Sequence, residues 1–357
     1  MATFDTKCIA CQDNTGKMMV HTIQRRAVGP KDVHIKITYS GICHSDIHTG
    51  LEEWGPRTYP LCVGHEILGK VVAVGAEVKK LKVGDVAGVG CMVDSCRTCE
   101  FCDIGDEQYC LKGFTGTYGA KGPEEKYPGG ITQGGYSKDI VVDEAFVISV
   151  PENLHVAAAT PLLCAGITCY SPFKKHGVKA GDKIGVIGLG GLGHMAVKIG
   201  AAMGCDVTVL TTSAAKKDLA MSLGASRVII STDAESMKSA ARSLNFIYNS
   251  IAFDHDVQQY LDLLKNEGTM VLVGGVPKGA MPAGSFALIG RGLRMAGSLI
   301  GGVKETQEMI DFCAKHNVLS EIEKIPATPE AVEEAWKRTV KADVRFRFVI
   351  DTGATLE

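Results

Sequence analysis

Residues 182–204 read DKIGVIGLGGLGHMAVKIGAAMG. A run from Ile184 to Ile187 meets Gly188-Leu189-Gly190-Gly191-Leu192-Gly193, and small and apolar residues in a helical pattern follow. A bare G-x-G-x-x-G is weak evidence, because glycine-rich turns often serve structure alone. Here a strand precedes the motif, a helix follows it, and a second strand, DVTVLTT (206–212), lies beyond. That order predicts a βαβ unit whose glycines let backbone N–H groups approach a dinucleotide pyrophosphate at the positive end of a helix.

Working outward, strand-like runs recur at RVII (227–230), FIYNSIA (246–252), TMVLVGG (269–275) and RMAGSLIG (294–301), with helical stretches between them. This alternation predicts an α/β fold built on a doubly wound parallel sheet. A final strand, FRFVID (346–351), lies too far along the chain to belong simply to that sheet, so it is expected to return to a first domain.

An acidic residue about 20 positions after the glycines would bind the adenosine ribose of NAD. The chain has instead Leu210-Thr211-Thr212-Ser213-Ala214-Ala215-Lys216-Lys217. Hydroxyls and cations in place of a carboxylate suit a 2′-phosphate, so NADP(H) is the expected cofactor. A solvated lysine pair on a helix accounts for the cations but not for the missing acid.

Upstream, 96–110 read CRTCEFCDIGDEQYC. Cys96, Cys99, Cys102 and Cys110 follow C-x2-C-x2-C-x7-C, a spacing that lets four thiolates converge on one tetrahedral structural Zn²⁺. The intervening residues are mostly polar or small, as in a loop ordered by metal rather than by an apolar core. Iron–sulfur clusters usually show another spacing, and redox-active thiols are the remaining alternative. A second metal site is scattered. VHIKITYSGICHSDIH (33–48) alternates apolar Val33, Ile35, Ile37 and Tyr39 as a half-buried strand, then breaks into Cys43-His44-Ser45-Asp46. His65-Glu66 follows a glycine within PLCVGHEILGKVVAVG (60–75), and Cys164 opens a helical segment in PLLCAGITCYS (161–171). Two thiolates and an imidazole make a catalytic zinc site with one open position. Each residue alone reads equally as core, and spacing does not link the three.

Composition narrows the classes. The 357 residues suffice for two domains, and a net charge of −2 supplies no basic field for nucleic acid or anionic lipid. No stretch approaches the roughly 20 apolar residues of a membrane span. The opening, MATFDTKCIACQDNTGK, lacks a signal-peptide pattern, and thirteen cysteines, an odd number, argue for metal or thiol chemistry in a reducing cytoplasm. Cys8-x2-Cys11 reads as ordinary strand sequence.

Taken together, GICHSDIH, YPLCVGHEILG, the four-cysteine lobe, TQGGYS, ATPLLCAGIT, GLGGLG, GSLIGGVKETQEMIDFCAKHN and KADVRFRFVID resemble the cinnamyl alcohol dehydrogenase family of zinc-containing medium-chain dehydrogenases, end to end. The resemblance implies a β-rich GroES-like catalytic domain (1–157 and 292–357) and a Rossmann NADP-binding domain (158–291), in a homodimer joined through the nucleotide-binding sheets. It implies Cys43, His65 and Cys164 as catalytic zinc ligands, with Glu66 an acidic neighbour able to approach the metal. Asp46 then orients the histidine, and Ser45 and His48 form a proton relay that includes the cofactor ribose. Thr168, Ser250, Gly274, Ser298, Leu299 and Ile300 fall where relatives touch the cofactor. One loop departs from the lignin enzymes: GFTGTYGAKGPEEKYPGGITQGGY (113–136) lacks their tryptophan and, with Phe114 and Tyr118, is closer to bacterial-type aldehyde reductases. Trp54 is either an aromatic wall of the substrate site or plain packing.

The resulting expectation is a cytoplasmic alcohol dehydrogenase or aldehyde reductase with two Zn²⁺ per chain. It transfers a hydride between NADP(H) and an aromatic or aliphatic primary alcohol/aldehyde pair, with no nucleic-acid or membrane partner. A zinc polyol dehydrogenase is the alternative among enzymes. A zinc-free quinone or enoyl reductase conflicts with the full ligand set. Outside enzymes, a nucleotide-binding redox sensor or a crystallin-like structural protein would use the surplus thiols.

Overall fold

Six parallel strands surround the glycine-rich turn. In the computed structural model, which describes residues 2–275 and 283–356, they run edge to edge as Arg227–Ile230, Asp206–Thr211, Lys183–Ile187, Leu244–Asn249, Leu264–Leu272 and Arg294–Gly297. The chain enters at Lys183–Ile187, winds out to one edge, then crosses back through Leu244–Asn249 to fill the other. This is the doubly wound order, with its switch point beside the glycine turn, where such sheets bind ligands. Buried Ile187, Leu210, Ile229, Ile247, Leu261 and Met270 cluster against the sheet. Near-continuous apolar strands are what helices on both faces require. Helix Gly193–Ala202 begins within the motif. A Cβ at Gly193 would lie 2.0 Å from the Gly188 carbonyl oxygen, so the turn closes only with glycine there.

The chain divides into two compact units, Met1–Cys164 with Gly301–Glu357, and Ala165–Ile300. The second junction comes later than the expected 291/292 because Arg294–Gly297 pairs with Leu264–Leu272 and is a sheet strand of the nucleotide-binding unit.

In the first unit the hub is Asp32–Gly41, which pairs antiparallel with Ile67–Val74, Asp139–Asp143 and Arg347–Asp351. Val33, Ile35 and Ile37 are buried while Lys36 is exposed, as the alternation requires. FRFVID does return: Val349 sits opposite Gly41 and Ile350 opposite Ser40. A hairpin, Thr3–Cys11 with Met18–Arg26, packs Cys8 and Cys11 into a core shared with Cys62, Tyr136, Trp336 and Phe348. Burial raises the Cys11 pKa, and a hydrogen bond with Cys62, ahead of burial, raises that of Cys8, so both are held as neutral thiols. Among the described residues no single helix is long and apolar enough to cross a membrane.

Candidate active site and metal centres

The local fold explains how Cys43 is presented. Strand Asp32–Gly41 ends, and helix His44–Gly50 starts with Cys43 as its N-cap. Asp46 Oδ2 accepts the Cys43 N–H at 2.9 Å, closing a capping box that fixes the first turn. Gly64 N–H donates to Asp46 Oδ1 at 3.2 Å and brings in the next residue, His65. Cys164 follows the 3₁₀ turn Thr160–Leu163, its N–H donating to the Pro161 carbonyl at 3.2 Å.

These three scattered pieces converge. One ligand atom each from Cys43, His65, Glu66 and Cys164 lies within 4.8 Å of the others, and the two sulfurs are 3.9 Å apart. His65 Nε2 is buried and has no hydrogen-bond partner. A buried imidazole nitrogen left open beside two thiols is the donor arrangement a tetrahedral Zn²⁺ accepts. The hydrogen bond from Cys164 holds Cys43 well below the usual thiol range, so one of the two is readily a thiolate. Burial and the neighbouring Cys43 charge raise Glu66, and Arg347 opposes that rise.

Two contributors escaped the sequence reading. Arg347, on the returning strand, forms a buried ion pair with Glu66 Oε1. Its only signal was a cation within an otherwise apolar strand. Gly41 makes room for the pair, since a Cβ there would lie 2.0 Å from Glu66 Oε2. Cys91 stands beside the cluster, where its interaction with Cys164, ahead of burial and the nearby His65, leaves its thiol lowered to about 6. Nothing in its spacing separates it from core cysteine.

Ser45 and His48 occupy one face of helix His44–Gly50, three residues apart. Ser45 Oγ is 3.6 Å from Cys43 Sγ. His48 pairs with Glu53 through Nδ1 and stacks on Trp54, ring centroids 4.9 Å apart. Trp54 is 46% exposed, so it braces His48 rather than filling a core.

The four lobe cysteines also converge, each sulfur within 4.8 Å of the others. Cys99 caps the short helix Glu100–Asp103, and Cys96 N–H donates to Cys110 Sγ at 3.4 Å. Backbone N–H groups of Thr98 and Leu111 donate to Cys96 and Cys99 and lower both thiols, Cys96 to about 6. The lobe is tied to helix Val303–His316 by Glu107, which accepts the Val303 N–H at 3.0 Å.

In the nucleotide-binding unit, Leu189 is buried and Gly190 exposed, at the opening of the turn. Lys216 Nζ donates to the Leu189 carbonyl at 3.4 Å. Ser250 Oγ donates to the Ile187 carbonyl at 2.9 Å. Gly274 lies close to the Ile251 and Ser250 carbonyls, and Ser298 N–H donates to the Leu272 carbonyl. Thr168 is buried, whereas Leu299 is exposed and Ile300 has a φ of 37°. Thr211 behaves differently from Thr212. It ends its strand buried and its Oγ1 accepts the Ser213 N–H at 3.3 Å, whereas Thr212, Ser213, Lys216 and Lys217 remain accessible.

Known proteins match most of the chain. The family described as "Alcohol dehydrogenase GroES-like domain" matches residues 29–152, and "Zinc-binding dehydrogenase" matches 191–315. The chain is 51% identical to NADP-dependent alcohol dehydrogenase C 1 of Mycolicibacterium smegmatis, over 93% of this chain and 94% of that one. It is 47% identical to aldehyde reductase YahK of Escherichia coli, over 92% and 93% respectively. The crystal structure of CAD from Helicobacter pylori complexed with NADP(H) superposes with a TM-score of 0.90 at 42% identity, covering 99% of this chain and all of that one.

Proposed function

From the premise that the chain belongs to the zinc-binding, GroES-like alcohol dehydrogenases, we propose that it interconverts primary alcohols and aldehydes with NADP(H), mainly as an aldehyde reductase, at the cluster of Cys43, His65, Glu66 and Cys164. The observation that carries this is the buried, partnerless His65 Nε2 facing a group that includes two thiols.

Cys43, His65 and Cys164 would hold a zinc ion whose Lewis acidity polarises the substrate oxygen. NADP(H) supplies or accepts the hydride. The remaining work falls to the chain. Asp46 fixes both Cys43 and Gly64, the residue before His65, through backbone hydrogen bonds. Arg347 neutralises Glu66 and keeps that carboxylate from competing freely for the metal. Ser45 and His48, one helical turn apart, pass the proton between the substrate oxygen and solvent, inward for aldehyde reduction and outward for alcohol oxidation, and Glu53 holds the His48 ring through Nδ1. Thr212, Ser213 and Lys216 receive the 2′-phosphate, while Gly188, Gly190, Gly191 and Gly193 with Leu189 and Leu192 receive the pyrophosphate. Cys96, Cys99, Cys102 and Cys110 hold the structural zinc.

The partner we propose is a second copy in the cytoplasm. Arg294–Gly297 is an edge strand among the described residues, and Phe286 and Ile289 are 87% and 76% exposed on the adjoining helix Ser285–Arg291. Open edges and apolar patches of this kind call for cover. Thirteen cysteines, an odd number, suit a reducing compartment.

The test is NADPH oxidation with benzaldehyde and a panel of aliphatic aldehydes, with and without a chelator. Chelator-sensitive turnover that prefers NADPH over NADH is expected. No turnover with any aldehyde, or turnover indifferent to zinc, would overturn the reading.

A further inference from the structure

We propose that Tyr118 is a positioning residue for the candidate zinc's histidine, inserted between His65 and Asp46 as the group that accepts the His65 Nδ1–H. The inference rests on the metal-site reading above.

His65 Nδ1 lies 3.2 Å from the Tyr118 hydroxyl oxygen but 3.6 Å from the nearer Asp46 oxygen. The first distance is within hydrogen-bond reach, and the second is beyond it. With Nε2 turned to a metal, a neutral imidazole carries its proton on Nδ1. A phenol can receive that hydrogen bond on oxygen and pass its own proton's bond onward. The Asp46 carboxylate, 3.6 Å from the same ring nitrogen, is the onward acceptor toward which the Tyr118 O–H would turn. The relay is therefore His65 Nδ1–H to Tyr118 oxygen, and Tyr118 O–H to Asp46.

Asp46 cannot readily move to meet His65 directly. It is fully buried and holds the Cys43 N–H at 2.9 Å, the Gly64 N–H at 3.2 Å and the Tyr136 hydroxyl at 3.0 Å. Tyr136 is itself met by Trp336 Nε1 at 3.5 Å. The carboxylate is an anchor with its lone pairs committed, and the hydroxyl spans the remaining gap. The two rings also lie nearly parallel, 13° apart with centroids 5.6 Å apart. Stacking resists rotation of the imidazole, so the tyrosine restrains the ligand by its face and by its oxygen.

Such outer partners typically govern metal affinity by about 10–100-fold. The experiment compares wild type, Tyr118→Phe and Tyr118→Leu. Zinc content and the dissociation constant of the weaker zinc are read by chelator competition. Thermal midpoint, NADPH affinity and the absorption of the cobalt-substituted protein are measured alongside. Tyr118→Phe keeps the ring and removes the hydroxyl. It should weaken the second zinc at least tenfold and shift the cobalt bands, with lobe zinc and NADPH affinity unchanged. Tyr118→Leu should weaken it further. A second-zinc affinity in Tyr118→Phe within twofold of wild type overturns the role of Tyr118. So does loss of both zincs together with a collapsed thermal midpoint, which marks general damage. Wild type binding only one zinc instead sinks the metal-site reading, and the role of Tyr118 with it.

Discussion

Arg347 and Glu66, 281 residues apart in sequence, form an ion pair in which both side chains are buried. The pair ties the returning C-terminal strand to the residue that follows His65, so the metal cluster depends on a strand contributed by the far end of the chain. Removing one partner strands the other without compensation, which typically costs about 3–5 kcal/mol. Arg347→Ala should destabilise the first unit by that order, and adding Glu66→Gln should recover most of the loss. Both tryptophans, Trp54 and Trp336, lie in this unit, so urea unfolding followed by tryptophan fluorescence reads it selectively. A double variant no more stable than Arg347→Ala would refute the coupling.

The two cysteine clusters should separate by mutation. Cys164→Ser weakens a ligand of the open site, so turnover should collapse while NADPH binding and the lobe zinc persist. Cys99→Ser opens the lobe, whose polar loop lacks a core of its own and would be ordered by the proposed zinc. Stability should fall first, and activity as a consequence. Zinc counts, thermal melts and NADPH fluorescence titrations on both variants decide this. Full stability without turnover in Cys99→Ser, beside an active Cys164→Ser, would reverse the assignment.

Cofactor choice should reside in Lys216 and its neighbours rather than in buried Thr211. Hydrogen bonds to charged groups are worth about 1.5–3 kcal/mol, so Lys216→Ala should raise the KM for NADPH about tenfold or more and leave that for NADH nearly unchanged. Ser213→Asp should shift the ratio of catalytic efficiencies further toward NADH. Steady-state kinetics with both cofactors provide the measurement, and equal losses for the two would count against the site.

Acid sensitivity should run partly through Asp32. Burial acts to raise this carboxyl, but two hydrogen bonds from Arg26, each 2.9 Å, prevail and hold it below its ordinary value. A depressed folded pKa means that the stabilisation is fully present above the unfolded value near 3.8 and fades as pH falls through the folded one. Asp32→Asn should therefore cost about 1–3 kcal/mol at pH 7 and progressively less below pH 3.8. Urea midpoints of both proteins across pH 3–7 test it, and a pH-independent gap would contradict the assignment.

Local pattern alone specified the nucleotide-binding unit. Strand, glycine turn and helix follow one another within 182–204, because the backbone geometry that cradles a pyrophosphate is set by adjacent residues. The four-cysteine lobe was legible for the same reason, its ligands all falling within 96–110. The proposed catalytic cluster was different in kind. Cys43, His65 and Cys164 are each indistinguishable from core residues until the strand hub Asp32–Gly41 and the 3₁₀ turn Thr160–Leu163 carry them together, and only the resemblance linked them beforehand. The groups that tune the cluster were less visible still. Arg347 arrives from the far end of the chain, Cys91 from between two short strands, and Tyr118 from a loop whose sequence showed only a kinship with bacterial-type aldehyde reductases. Burial, ion pairing and stacking depend on distances between segments far apart in sequence, and tertiary packing alone sets those distances.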